Sequence, residues 1–176
     1  MLAESPTRDA ATRATGCGAC AGRLRFRGED GGMRGACLCG AVRFEIEGRV
    51  TPIQICHARR CQKSTGSAFA PELAAPAERF RWLRGEEHVQ RYEAPLLREP
   101  PPFRKSFCSR CGSPLPALQP ETGFVVFLAG VLDDDPGVKP FRHVFVGQRA
   151  PWHDVTDELP RFDGRPPPEA RLRPRR

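Results

Sequence analysis

The sequence has no apolar run long enough to cross a bilayer: the longest, Phe124 to Leu132, is interrupted by Gly130 and falls well short of the roughly 20 residues a spanning helix needs. Nothing near Met1 reads as the apolar centre of a secretory signal. Both absences predict a soluble, cytoplasmic protein with no membrane partner. Amphipathic stretches of helical length are also missing, while 19 prolines and 17 glycines punctuate the chain. That pattern predicts one mostly β domain of short strands and irregular loops, with little helix. At 176 residues the chain can bury one sizeable core and is short for two domains.

The formal net charge is +7, but the body of the chain carries little of it. Residues 1–32 hold five basic and four acidic side chains, residues 33–160 hold seventeen and fifteen, and residues 161–176 hold six and two. The excess therefore lies in a terminal Pro/Arg tail, which reads as a solvated end, and nucleic acid is not an expected partner. Residues 1–32 show no periodicity and are read as an extension or a mis-assigned start, because Met33 opens the segment leading into the first motif. The domain is expected over 33–160, with 161–176 as the tail.

Eight cysteines in a reducing compartment point to metal or thiol chemistry rather than to disulfides. Cys37-Leu38-Cys39-Gly40 and Cys108-Ser109-Arg110-Cys111-Gly112 read as the two halves of one closed, tetrahedral, structural zinc site. Cys37 and Cys39 are expected on an extended stretch with both sulfurs on one face. Because the halves are distant in sequence, chelation is expected to loosen the whole fold. Cys17-Gly18-Ala19-Cys20 also has metal-like spacing, but without a second free pair nearby it is read as incidental.

Alternation of Val42, Phe44 and Ile46 with Arg43, Glu45 and Glu47 predicts a half-buried strand over 41–48 with a solvated charged face. Phe80 to Tyr92 reads as two strands about the turn at Arg84-Gly85-Glu86, and Phe124–Leu132 and Phe141–Val146 as further strands. Asp133-Asp134-Asp135-Pro136-Gly137 is turn chemistry rather than a cation site. The best helical candidate is Gln62–Phe69, weakened by Gly66.

Three blocks together resemble the glutathione-dependent formaldehyde-activating enzyme family, grouped with centromere protein V: 35–44 around Cys37 and Cys39, Cys56-His57 through Gly66, and Phe107 to Ser113. Gly147-Gln148-Arg149-Ala150-Pro151-Trp152 adds a weaker match. The resemblance implies a β-tent fold of short coiled antiparallel sheets around a structural Zn2+ on Cys37, Cys39, Cys108 and Cys111. It further implies a second, catalytic zinc on a C-H-C-x2-C motif, a carbon–sulfur lyase activity, and a small thiol–aldehyde adduct, glutathione-derived, as substrate.

The second motif departs from that pattern, because the chain reads Cys56-His57-Ala58-Arg59-Arg60-Cys61. Alanine cannot coordinate, which leaves Cys56 and Cys61 as the candidate catalytic and metal-ligating pair. His57 is a chemically suitable third ligand, although an extended backbone would point it to the opposite face. Whether a second zinc binds stays open at this point, as does the alternative of a non-catalytic, zinc-stabilised binding module. Without metal, a thiol redox role for Cys56 and Cys61 is the lesser reading. Arg59, Arg60 and Lys63 are placed to bind substrate carboxylates or to form a solvated loop. Trp152 is assigned to the core and His153 to the surface.

Overall fold

The computed structural model describes residues 32–94, 102–167 and 170, so the Cys17/Cys20 pair, nearly all of the expected N-terminal extension and half of the expected tail lie outside the described residues. Strands dominate among the described residues, and their one α-helix is short. Among the described residues, no helix is long and apolar enough to cross a membrane.

In chain order the strands are β1 (Met33–Ala36), β2 (Arg43–Ile46), β3 (Ile53–Cys56), β4 (Ala70–Pro76), β5 (Phe80–Arg84) and β6 (Val89–Glu93). They continue with β7 (Arg104–Cys108), β8 (Pro114–Leu115), β9 (Ala117–Gln119), β10 (Phe124–Leu128), β11 (Pro140–Val144) and β12 (Arg161–Phe162). Helix α1 (Arg59–Thr65) joins β3 to β4. Three sheets result, ordered β1-β2-β5, β12-β11-β3-β4-β10-β9 and β6-β7-β8. Two are antiparallel throughout; the large one is mixed, because β11 runs parallel to both β3 and β12. The mostly β architecture of short antiparallel sheets is as expected, and the large sheet adds parallel pairs because the chain returns to β3 by a long crossover, which a tight turn cannot make.

Other expectations shift for similar reasons. β2 spans only Arg43–Ile46, and Glu45 on its supposedly solvated face is buried. Arg81 and Arg34 cover its carboxylate. Hydrogen bonds from Arg81 outweigh the burial that opposes them and, with Arg34, hold Glu45 below the ordinary carboxylate range. β5 and β6 flank the Gly85 turn as expected but do not pair: β5 joins β2 and β6 joins β7. β10 stops at Leu128, where a 3-10 turn over Ala129–Val131 follows. α1 begins three residues before the expected start and ends at Gly66, which takes the left-handed conformation (φ 66°) as its C-cap. Arg161 and Phe162, assigned to the tail from sequence, form β12 beside His143 and Val144. The aspartate run turns as expected, with Asp134 accepting from the Arg34 amide and Asp135 from the Gly137 amide.

The main core draws on all three sheets. Met33, Phe44 and Ile46 come from the first, Ile55, Leu73, Val125 and Phe127 from the second, and Val89, Cys108 and Leu115 from the third. Phe44, Phe80 and Trp82 stack as a tilted and edge-on trio with centroids 4.7–6.2 Å apart. A smaller cluster gathers Cys56, Ala58, Cys61, Ala70 and Val144. Both cysteine groups are thus built into core clusters and are positioned by packing, not by loops alone.

Gly35 shows how tight this packing is. A Cβ there would lie 2.2 Å from Phe44 Cζ and 2.5 Å from the Val131 carbonyl oxygen. Gly35→Ala is therefore expected to destabilise the protein by about 1–3 kcal/mol, measured as a lower urea midpoint with unchanged slope. Wild-type stability in that variant would show that β1 and the Val131 turn are not held at this separation.

Candidate metal centres

The first centre stands on two turns. β1 ends at Ala36, and Cys37, Leu38 and Cys39 form a turn closed by the Gly40 amide donating to the Cys37 carbonyl at 2.8 Å. This corrects the expected extended C-x-C. In a flat strand, residues two apart lie about 6.5–7 Å from each other, whereas sulfurs sharing a tetrahedral ion at about 2.3 Å sit about 3.8 Å apart. The turn brings Cys37 and Cys39 Sγ to 3.5 Å. The other half is built alike: Cys108 ends β7, and the Gly112 amide donates to its carbonyl at 2.8 Å.

All four sulfurs lie within 4.8 Å of one another, with Cys39 and Cys108 Sγ at 4.0 Å, so the donor set fits a closed tetrahedral site. The Val42 amide donates to Cys37 Sγ at 3.3 Å, and Ser113 ties the halves together. Its hydroxyl accepts from the Leu38 amide at 2.9 Å and lies 3.4 Å from Cys111 Sγ. Burial would raise the Cys111 pKa, but hydrogen bonds from Ser113 and Cys39 prevail and bring it down to about 6. Sequence reading included Ser113 in the third block but gave it no role, although its place just after the second knuckle was the available signal.

The second centre lies where a strand hands over to a helix. Cys56 ends β3 and Cys61 sits in α1, so the bend between them brings their sulfurs to 3.2 Å. Both are free and buried, as is Ala58 beside them. The third donor atom here is a carboxylate that sequence reading missed: Glu72 of β4, whose Oε1 lies 3.4 Å from Cys61 Sγ. Cys56, Cys61 and Glu72 have their donor atoms within 4.8 Å of one another. The neighbouring Cys56, burial and the Glu72 carboxylate push the Cys61 thiol up, and burial pushes Glu72 up. Three potential anions gathered without a cation favour their protons; a divalent ion reverses that preference.

His57 does not join this group. Its ring is fully buried, with Nε2 2.8 Å from His143 Nδ1, while His143 Nε2 lies 3.0 Å from Asp157. With both rings neutral, Asp157 accepts from His143 Nε2, His143 Nδ1 accepts from His57 Nε2, and His57 Nδ1 is left as an acceptor. That nitrogen has no hydrogen-bond partner. Burial first, then the nearby His143, His153 and Arg149, lower the His57 pKa to about 4. Gln62 Nε2 donates to the carbonyls of His57 and Gln148, and the Gln148 side chain accepts from the Arg59 amide. The segment around Gln148 thereby anchors the start of α1. Trp152, expected in the core, is 73% exposed; its neighbour His153 packs on Phe69 and His57 instead.

A cavity of about 60 Å³ is lined by Cys61 and Glu72 and shares Ser64, Phe103 and Lys105 with a wider groove of about 440 Å³. Arg60, Lys63, Lys105, Tyr92 and Phe103 are among the groove's walls, and no acidic side chain lines it among the described residues. Arg60 lies over the Phe103 ring, 5.2 Å from its centroid, and Lys105 Nζ donates to the Ser64 carbonyl at 2.8 Å. Arg59 is turned elsewhere, donating to Gln62 Oε1 at 2.7 Å.

Residues 32–148 match the family described as glutathione-dependent formaldehyde-activating enzyme. A Halomonas elongata protein named after this family is 30% identical over 127 residues, covering 70% of this chain and 80% of its own length. A Rhodobacter sphaeroides protein of known crystal structure aligns at 23% identity with a TM-score of 0.44, covering 61% of this chain and 99% of that one.

An ion held at the first centre would tie two core residues, Cys37 and Cys108, so its removal is expected to lower the thermal midpoint by at least about 10 °C. The centre's zinc affinity should fall more steeply once the pH drops below about 6, where Cys111 takes up a competing proton. Thermal scans and competition titrations with a chelator from pH 5 to 8 check both. An unchanged midpoint after complete metal removal contradicts a structural role.

Proposed function

The chain belongs to the glutathione-dependent formaldehyde-activating enzyme family, and on that premise we propose that it is a zinc-dependent carbon–sulfur lyase acting on adducts of a small aldehyde with an anionic, glutathione-type thiol. One observation carries this reading: Cys61, 3.2 Å from Cys56 through their sulfurs, lines a cavity that shares walls with a cationic, aromatic groove. Zinc on Cys37, Cys39, Cys108 and Cys111 would be structural, and Cys56 and Cys61 would hold the second ion. When bound, that second ion supplies a thiolate near neutral pH and a Lewis acid for the aldehyde oxygen. Unpaired cysteines at both sites suit a reducing cytoplasm.

The chain's own groups bind and orient. Arg60, Lys63 and Lys105 set positive charge around the groove, suited to the carboxylates of a peptide thiol. Phe103 and Tyr92 cover its aliphatic part. Lys105, held by the Ser64 carbonyl, lies at the seam between groove and cavity. In the lyase direction the carbon–sulfur bond of an S-hydroxymethyl adduct breaks with its electron pair on sulfur. The adduct hydroxyl loses its proton as the aldehyde C=O forms, and the sulfur gains one to restore the thiol.

Ala58 favours a second reading, a zinc-stabilised module without catalysis, and one experiment separates the two. Exchange of 13C-formaldehyde with glutathione, followed by NMR at neutral pH, is expected to run faster with the protein than without it. Cys61→Ser should cost at least about a hundredfold in rate, and Lys63→Ala should raise KM with little change in kcat. No acceleration with glutathione or a panel of other small thiols sinks the lyase reading and leaves the module.

A further inference from the structure

Ala58 leaves the second centre one thiolate short, and the fold brings a carboxylate to the remaining pair. We propose that Glu72 is the third protein ligand of this centre, giving a donor set of Cys56 Sγ, Cys61 Sγ and Glu72 Oε1. The inference rests on the reading that Cys56 and Cys61 hold an ion, and not on the lyase activity.

The register of the large sheet places the carboxylate. Cys56 lies opposite Ala70 and Gln54 opposite Glu72 in the antiparallel β3–β4 pair. Alternate residues share a face, so Cys56, Gln54, Ala70 and Glu72 stand on the same side, with Cys56 and Glu72 as diagonal neighbours. α1 then lowers Cys61 onto that face. The separations, 3.2 Å between the sulfurs and 3.4 Å from Cys61 Sγ to Glu72 Oε1, are already near those of donors sharing one ion at about 2.0–2.3 Å.

Glu72 also lacks an ion-pair partner among the described residues: the Arg60 charge acts on it, but burial prevails. It is the only charged residue between Ser67 and Pro76. Its polar partners are the Cys61 thiol and the Gln54 amide. A partly buried carboxylate facing two thiols without a cation in direct contact is costly. The carboxylate is oriented from behind. Arg142, itself buried, donates to Gln54 Oε1 from Nε at 2.9 Å and Nη2 at 2.6 Å. That contact turns Gln54 Nε2 toward Glu72 Oε2, at 3.3 Å, and leaves Oε1 for the thiol side. Such an outer partner is what a metal-ligating carboxylate ordinarily has.

Two thiolates and a carboxylate carry the same charge as three thiolates, so the balance against a divalent ion is kept. The harder oxygen donor moves the preference away from soft monovalent ions toward borderline divalent ones. The cavity lined by both Cys61 and Glu72 has room for the exchangeable fourth position of an open site.

The test is a Co2+ titration of the full chain after metal removal, read by thiolate-to-metal charge transfer and by competition with a chelator. Wild type is expected to take two ions. Glu72→Gln should fill the first centre normally, which reports on its folding, and lose at least about a hundredfold in affinity at the second. Glu72→Gln combined with Ala58→Cys should recover the second ion, with the charge-transfer intensity of one more thiolate. Unchanged affinity and spectrum in Glu72→Gln would overturn the assignment, as would a wild type that takes only one ion. Turnover on the same samples separates the two proposals: two ions without activity removes the lyase reading alone, and activity with a metal-retaining Glu72→Gln removes the Glu72 assignment alone.

Discussion

The convergence of Cys37, Cys39, Cys108 and Cys111 is the constraint on which the rest depends. It joins the turn after β1 to the turn after β7, across a sequence separation of 69 residues between Cys39 and Cys108. Two sheets that share no strand are thereby held at one point. The main core draws on these two sheets and on the large one, and Cys37 and Cys108 are themselves part of it. An ion on these four sulfurs would be a cross-link that restricts the unfolded chain far more than a local knuckle would. Ser113 strengthens it from inside, since one hydroxyl touches both halves.

The second centre depends on that frame and is differently made. Its parts come from a strand end, a seven-residue helix and the next strand, and Cys56 and Cys61 belong to a small apolar cluster. A helix this short is marginal by itself. Gln148 therefore matters: its side chain takes up the first α1 amide, while Gln62 ties the helix back to the His57 and Gln148 carbonyls. The Asp157–His143–His57 chain braces the other side and keeps the His57 imidazole committed to His143. The same packing that withdraws His57 from the cysteine pair leaves the side facing β4 to Glu72, with Gln54 and Arg142 behind it.

How a side chain is used here follows from its distant neighbours more than from its own type. Glu45 reads as solvent-facing on a local pattern and is buried because Arg34 and Arg81, from flanking strands, close over it. Trp152 reads as core and lies outside, while His153 packs inward on Phe69. Pattern rules weigh hydrophobicity along one segment, and both cases were decided by the segment that packs against it.

Local chemistry in the chain determined a great deal. The two spaced cysteine knuckles, the Cys56/Cys61 pair with its missing middle thiol, the scarcity of helix and the short strands were all legible, because metal spacing and hydrophobic alternation are properties of contiguous residues. Tertiary structure alone decided that Cys37 and Cys39 grip from a turn, that β5 and β6 belong to different sheets, and that β11 runs parallel to β3. It also decided that Glu72 stands beside the thiols. Each is a relation between residues far apart in the chain. A lone glutamate in an alanine-rich strand carries no mark of the pair it will face until strand register and helix packing bring them within 3.4 Å.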